Sequence, residues 1–234
     1  MLADDWVIRI VRGRQEVGRE QMVTSQRVQL LDAMAKEVAE NGYAGITADA
    51  IAARAGTSSE VFHQHFQDTE SCFMAAYDLG VEVLATTIED GLGSPESLPL
   101  ARFERSLSSY LDLLATEPSF ARTFLIEVWA AGPRAVQRRL ENVRRFTALI
   151  TGVLNPPGGE DGLDPFACEA VVGAISMLVT TRVAEDRFDQ LPALRGPIMG
   201  FVRRLLETAP PAGFEPATPR RRARGQWPGP ASQV

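Results

Sequence analysis

Apolar side chains recur every three or four positions through most of the chain, the period of helices that bury one face. The first such run spans about 19–41. Leu30, Leu31, Met34, Ala35 and Val38 form its inner stripe, and Gln29, Lys36, Glu37 and Glu40 lie on its wet side. Gly42 stands where a helix C-cap is expected, and Tyr43 with Ile46 closes the core of a three-helix unit. Next comes a short helix with Thr47 as its cap and Ala50, Ile51, Ala53 and Ala55 at helical spacing; Gly56 ends it with the left-handed backbone a tight turn needs. Thr57 and Glu60 read as a capping box for a second short helix, about 58–64. Val61, Phe62 and Phe66 anchor that helix, leaving Ser58, Ser59, Glu60, His63 and Gln64 outward. A short helix showing small polar groups has the shape that enters a DNA major groove.

Behind this unit the pattern predicts helices only. Asp68 caps a long one through Phe73, Met74, Tyr77, Val81, Leu84 and Ile88 to a break at Gly91–Gly93, the natural connector between two domains. A lone helix glycine, Gly80, is read as a packing feature more readily than as a hinge. Further helices are marked by Leu100 to Leu114, Phe120 to Trp129 and Val136 to Leu154, with Arg138, Arg139, Arg144 and Arg145 read as a solvated flank on the last. A Pro- and Gly-rich loop at 155–164 leads to an apolar helix at about 165–187 and a final one at about 191–208.

Composition changes this picture little. A chain of 234 residues, 45% hydrophobic, can bury a sizeable core. Its two cysteines, Cys72 and Cys168, stand far apart and read as reduced thiols. With no leader-like start and no stretch read as a membrane span, a cytoplasmic protein is expected. Charge is less accommodating. The net charge is −6, and the first 66 residues set Arg9, Arg12, Arg14, Arg19, Arg27, Lys36 and Arg54 against more numerous carboxylates. Positive charge is concentrated in the arm at 1–18, where Arg12-Gly13-Arg14 could follow a narrow minor groove. The last stretch, 209–234, is rich in proline and arginine without helical period and reads as a disordered tail.

From about Ser25 to Asp78 the chain resembles the TetR family of transcriptional regulators. The features that carry the resemblance are the amphipathic first helix, Asn41-Gly42-Tyr43, Thr47, Ala55-Gly56, the aromatic near the end of the second short helix, and Asp68 opening the long one. The resemblance implies an all-α protein. Its parts are a basic arm (1–18), a helix-turn-helix DNA-binding domain (19–67), a larger helical ligand-binding and dimerisation domain (68–208), and the tail. It also implies a homodimer on a near-palindromic double-stranded operator, released when a small effector displaces the connecting helix, and in this family the last two helices pair across a two-fold axis.

Candidate DNA contacts are Arg12, Arg14, Thr47, Arg54, Ser58, Ser59, Glu60, His63, Gln64 and His65. Glu60 would repel phosphate unless it accepts from a cytosine amino group, so affinity should lean on the arm. Candidate ligand contacts are Tyr110, Phe124, Trp129, Phe146 and Met177, large side chains near inward stripes. With Glu127 and Arg182 the only charges that look buried there, a hydrophobic effector is expected. Ala170, Gly173 and Ala174, a small-residue face, are expected with Phe201 and Leu205 at the dimer interface. No cofactor, metal or enzyme is expected: His63 and His65 point roughly 200° apart around their helix, and no phosphate loop, nucleophile elbow or Cys/His cluster occurs. A related dimer that binds ligand or protein but has lost its operator remains open.

Overall fold

The computed structural model describes residues 21–155 and 163–208, with side chains from residue 26 onward. Arg12, Arg14, the rest of the arm, the tail and 156–162 lie outside the described residues. Those that are described form helices and turns without strands. The helices are α1 (Gln21–Asn41), α2 (Ala48–Arg54), α3 (Ser59–His65), α4 (Thr69–Leu92), α5 (Pro99–Thr116), α6 (Pro118–Leu125), α7 (Pro133–Leu154), α8 (Pro165–Ala184) and α9 (Arg195–Thr208).

The front three helices form where the capping residues put them. Thr47 Oγ1 accepts from the Ala50 amide at 3.1 Å and starts α2. Gly56, at φ +69°, makes the turn into α3. The expected capping box at Thr57 and Glu60 does not form; the cap is Ser58, whose Oγ accepts from the Val61 amide. Asp68 caps α4 as expected and pairs reciprocally with Ser71. The stripe of α1 is buried throughout. Glu37, expected on the wet side, is also buried, because Arg54 and Asn41 reach it there.

The front unit does not stand apart from the body. Apolar core runs without a break from Leu30 and Met34 through Phe73 and Tyr77 to Phe103, Phe120 and Phe124. Polar bonds tie the same seam. Thr123 Oγ1 donates to the Ala35 carbonyl at 3.2 Å inside the core, and the Tyr43 amide donates to Glu127 Oε2 at 2.9 Å. A 3-10 turn at Tyr43–Gly45 and another at Glu127–Trp129 bring these last two residues together. The second turn is where the helix expected to reach Trp129 stops short, at Leu125.

The rear ends on two helices with apolar exposure. Among the described residues two segments are long and apolar enough to cross a membrane by length and composition, Thr69–Leu92 and Pro165–Ala184, where the pattern had suggested none. They differ in what covers them: 61% of the first window is buried in the fold, but only 22% of the second. Phe166 and Met177 of α8 are 78% and 68% exposed. Ala170, Gly173 and Ala174 share that open surface and Phe201 of α9 is partly exposed, whereas Leu205 is half-buried against the core.

Candidate DNA-facing surface and ligand cavity

Phe62 and Phe66 hold α3 to the core, 5.7 Å apart between ring centroids, and Glu60, His63 and Gln64 face outward between them. His63 sits edge-on to Phe62, and His65 is half-buried with its carbonyl accepting from Arg27 at 3.3 Å. Arg27 also lies over the Phe66 ring at 4.4 Å, so a basic side chain of α1 is committed to fastening the end of α3. Ser59 donates to Asp49 and so crosses the turn between the two short helices. The hydroxyls of Thr47 and Ser58 accept as caps and keep their own O–H free in principle to donate to a phosphate.

Arg54, offered as a candidate DNA contact, is held in ion pairs. Its guanidinium pairs with Glu37 and with both oxygens of Glu40 on α1, one of the Glu40 bonds measuring 3.0 Å. The bond to Glu40 raises its already high pKa. It braces α2 against α1, and most of its charge is cancelled locally. Among the described residues no group of three or more His, Cys, Asp and Glu is placed to hold a metal ion.

Behind the seam lies a cavity of about 120 Å³ walled by α4, α5, α6, α7 and α8. Tyr77, Val81 and Ile88 of α4 form one side, Phe103, Leu107 and Tyr110 of α5 a second, and Val143, Phe146 and Ile150 of α7 a third. Of the five side chains expected to meet a ligand, Tyr110, Phe124 and Phe146 line it. Trp129 and Met177 do not. Trp129 falls on the 3-10 turn past α6 and is 52% exposed, and Met177 is on the open face of α8. Helical spacing alone had left both sides of those helices available.

Gly80 is what lets Phe124 enter. A methyl group at Gly80 would meet Phe124 Cζ at 1.7 Å, so the ring occupies the space a side chain would fill. Phe124 then stacks on Tyr77 at 4.9 Å and on Phe120 at 4.3 Å, and the line continues through Phe73 to Tyr43 in the front unit. Burial raises the pKa of Tyr77 and pushes that of Tyr110 up to about 12, so both phenols are neutral donors at ordinary pH.

Arg139 is the residue the pattern misplaced. Read as part of a solvated flank, it is 8% exposed and turns into the cavity, while Arg138 and Arg145 of the same cluster face outward to Asp78 and Glu82. Arg139 donates to the Phe124 carbonyl and to Ser176 Oγ, each at 3.3 Å, and its guanidinium lies 5.2 Å from the exposed Trp129 ring, which covers it from outside. The expectation that only Glu127 and Arg182 would be buried charges fails here too: Arg182 merely bonds its own helix at Leu178. A signal did exist, since Arg139 stands three and four residues from Val136, Val143 and Asn142 on the inward stripe.

A three-helix unit with an outward helix, joined through a packed seam to a helical body with an apolar cavity, is the arrangement expected of a ligand-responsive DNA-binding transcriptional regulator. Residues 30–76 match the family described as bacterial regulatory proteins, tetR family. Among curated proteins it is similar to the fatty acid metabolism regulator protein of Bacillus subtilis, 25% identical over 181 residues that cover 74% of this chain and 91% of that one. The fold is shared with the fatty acid degradation regulator FadR of Bacillus halodurans, at a TM-score of 0.68 and 19% identity, covering 78% of this chain and 95% of that one. It is shared too with FadR of Bacillus subtilis in complex with stearoyl-CoA, at 0.65 and 20%, covering 74% and 96%.

Proposed function

We propose that this chain is a homodimeric, cytoplasmic repressor that leaves a near-palindromic operator when a small, mainly apolar effector enters the cavity behind α4. The observation that carries the reading is the seam: Tyr77 and Phe124 line the cavity, and the line of ring contacts runs on through Phe73, which meets Tyr43 edge-on in the turn before α2. The cavity, at about 120 Å³, is small against the roughly 300–1,000 Å³ of pockets that hold drug-sized ligands. An effector larger than this space would move the walls on entering, and α4 is one of them. Displacing α4 shifts the front unit that Asp68 and Tyr43 join to it.

The ligand needs only to prefer the state that does not fit DNA, with a coupling of about 1–3 kcal/mol per site. A second copy covering the open face of α8 and α9, with Ala170, Gly173, Ala174 and Phe201 against their counterparts, would set two α3 helices one helical turn apart on the duplex, about 34–36 Å. Thr47, Ser58, Ser59, Glu60, His63, Gln64 and His65 are the groups offered to it, with the arm supplying most of the positive charge. Similarity to a fatty acid metabolism regulator, and to a FadR solved with stearoyl-CoA, points to an acyl-bearing effector, for which the apolar walls are suited.

Selection from a random pool of duplexes at fixed salt, by the full chain and by a chain lacking residues 1–18, tests the reading. The full chain should enrich an inverted repeat, and loss of the arm should weaken its binding severalfold. If no sequence is enriched, the alternative stands: a ligand-binding dimer without an operator.

A further inference from the structure

An arginine inside an apolar cavity is costly unless something answers its charge. Arg139 has no carboxylate within ion-pair distance among the described residues; what it has are a carbonyl, a serine hydroxyl, the Tyr77 phenol and the face of an indole. Those contacts satisfy hydrogens but supply no negative charge. One turn on, Asn142 lines the same cavity with its Nδ2 buried and facing the Tyr77 phenol. Ser176, whose oxygen accepts from Arg139, retains its own hydrogen to donate, and the phenols of Tyr77 and Tyr110 lie on the same lining. One end of the cavity is therefore a cluster of donors around a fixed cation, and the rest is hydrocarbon: Val81, Ile88, Leu107, Phe146 and Ile150.

We infer that the effector is an amphiphile with an apolar body and a carboxylate, and that Arg139 and Asn142 bind the carboxylate in the cavity. The assignment rests on the ligand-sensing role proposed above and narrows it. A guanidinium recognises a carboxylate through two parallel N–H···O bonds, and Asn142, at i+3 on α7, reaches the same side. Binding the anion supplies the missing charge and gives the Asn142 amide a stronger acceptor than a neutral phenol. Ring and chain contacts then choose among bodies of different shape.

The test compares octanoate, 1-octanol and octylamine on the full-length chain, with binding read by calorimetry and release read on the duplex selected above. Octanoate should bind about tenfold or more tighter than octanol, the size of one charge-assisted hydrogen bond, and octylamine weakest. Arg139→Gln should abolish the preference for octanoate while leaving octanol unchanged, and Arg139→Lys should keep part of it. The comparison on unaltered protein stands even if Arg139→Gln does not fold. Octanol binding as tightly as octanoate, no binding of octanoate at millimolar concentration, or a folded Arg139→Gln that keeps the preference overturns the assignment. Release from the duplex by octanol and octanoate alike would end the carboxylate reading and leave the ligand-released repressor standing; an enriched duplex that no ligand of any class displaces would end that role instead.

Discussion

Arg54 and Arg139 sit in opposite circumstances. In the DNA-facing unit, where cations are useful, Arg54 is tied to two glutamates and Arg27 is spent on Phe66 and the His65 carbonyl. In the cavity, where a charge is expensive, Arg139 is buried with no carboxylate beside it among the described residues. The front surface is thus stiffened at the expense of its positive charge. The rear keeps a charge that no carboxylate among the described residues answers. The comparison teaches that location within the fold, and not the abundance of arginine, decides which cation is available for binding.

The strongest challenge to this contrast is steric. If the cavity is held open by the fit of one ring against a bare backbone, Phe124→Ala should cost about 3–5 kcal/mol in urea unfolding and Gly80→Ala about 1–3 kcal/mol. Adding Gly80→Ala to Phe124→Ala should then cost little, since the ring it collides with is gone; fully additive losses would mean the two positions do not share that space. A smaller effect is expected at the front. Arg54→Gln should lower stability by about 1.5–3 kcal/mol, because Glu37 loses its charged partner while still buried. Its DNA affinity should keep the same dependence on salt. A salt slope reduced by about one would show that Arg54 reaches a phosphate after all. The smallest effect concerns the seam. Glu127→Gln weakens the bond to the Tyr43 amide, and should reduce the coupling between ligand and DNA by about 1 kcal/mol while ligand affinity in the absence of DNA stays as it was.

Much of the front unit was legible because its determinants are local. Thr47 capping α2, Gly56 at positive φ and Asp68 capping α4 each act within one turn of chain, so their residue types and spacing carry the geometry. Where two hydroxyls stood side by side the reading chose wrongly: Thr57 and Ser58 are equally able to cap, and the register of the turn selected Ser58. In the rear body the same reasoning picked Tyr110, Phe124 and Phe146, which line the cavity, together with Trp129 and Met177, which do not. A helix with apolar residues on more than one side does not declare which side meets the core. α8 shows this most plainly, with Val171, Val179 and Val183 buried and Phe166 and Met177 open.

By itself the chain's order of residues determined that there would be helices, nearly where each begins, and that a short outward helix would follow a glycine turn. These depend on neighbours three or four positions away. What only the tertiary structure decided is where charge and space end up: that Glu37 and Arg54 cancel, that Phe124 fills the place of a missing side chain at Gly80, and that Arg139 faces inward while Arg138 faces out. Such outcomes depend on which helices cross and at what angle, so groups far apart in the chain set them, and no local pattern records the encounter.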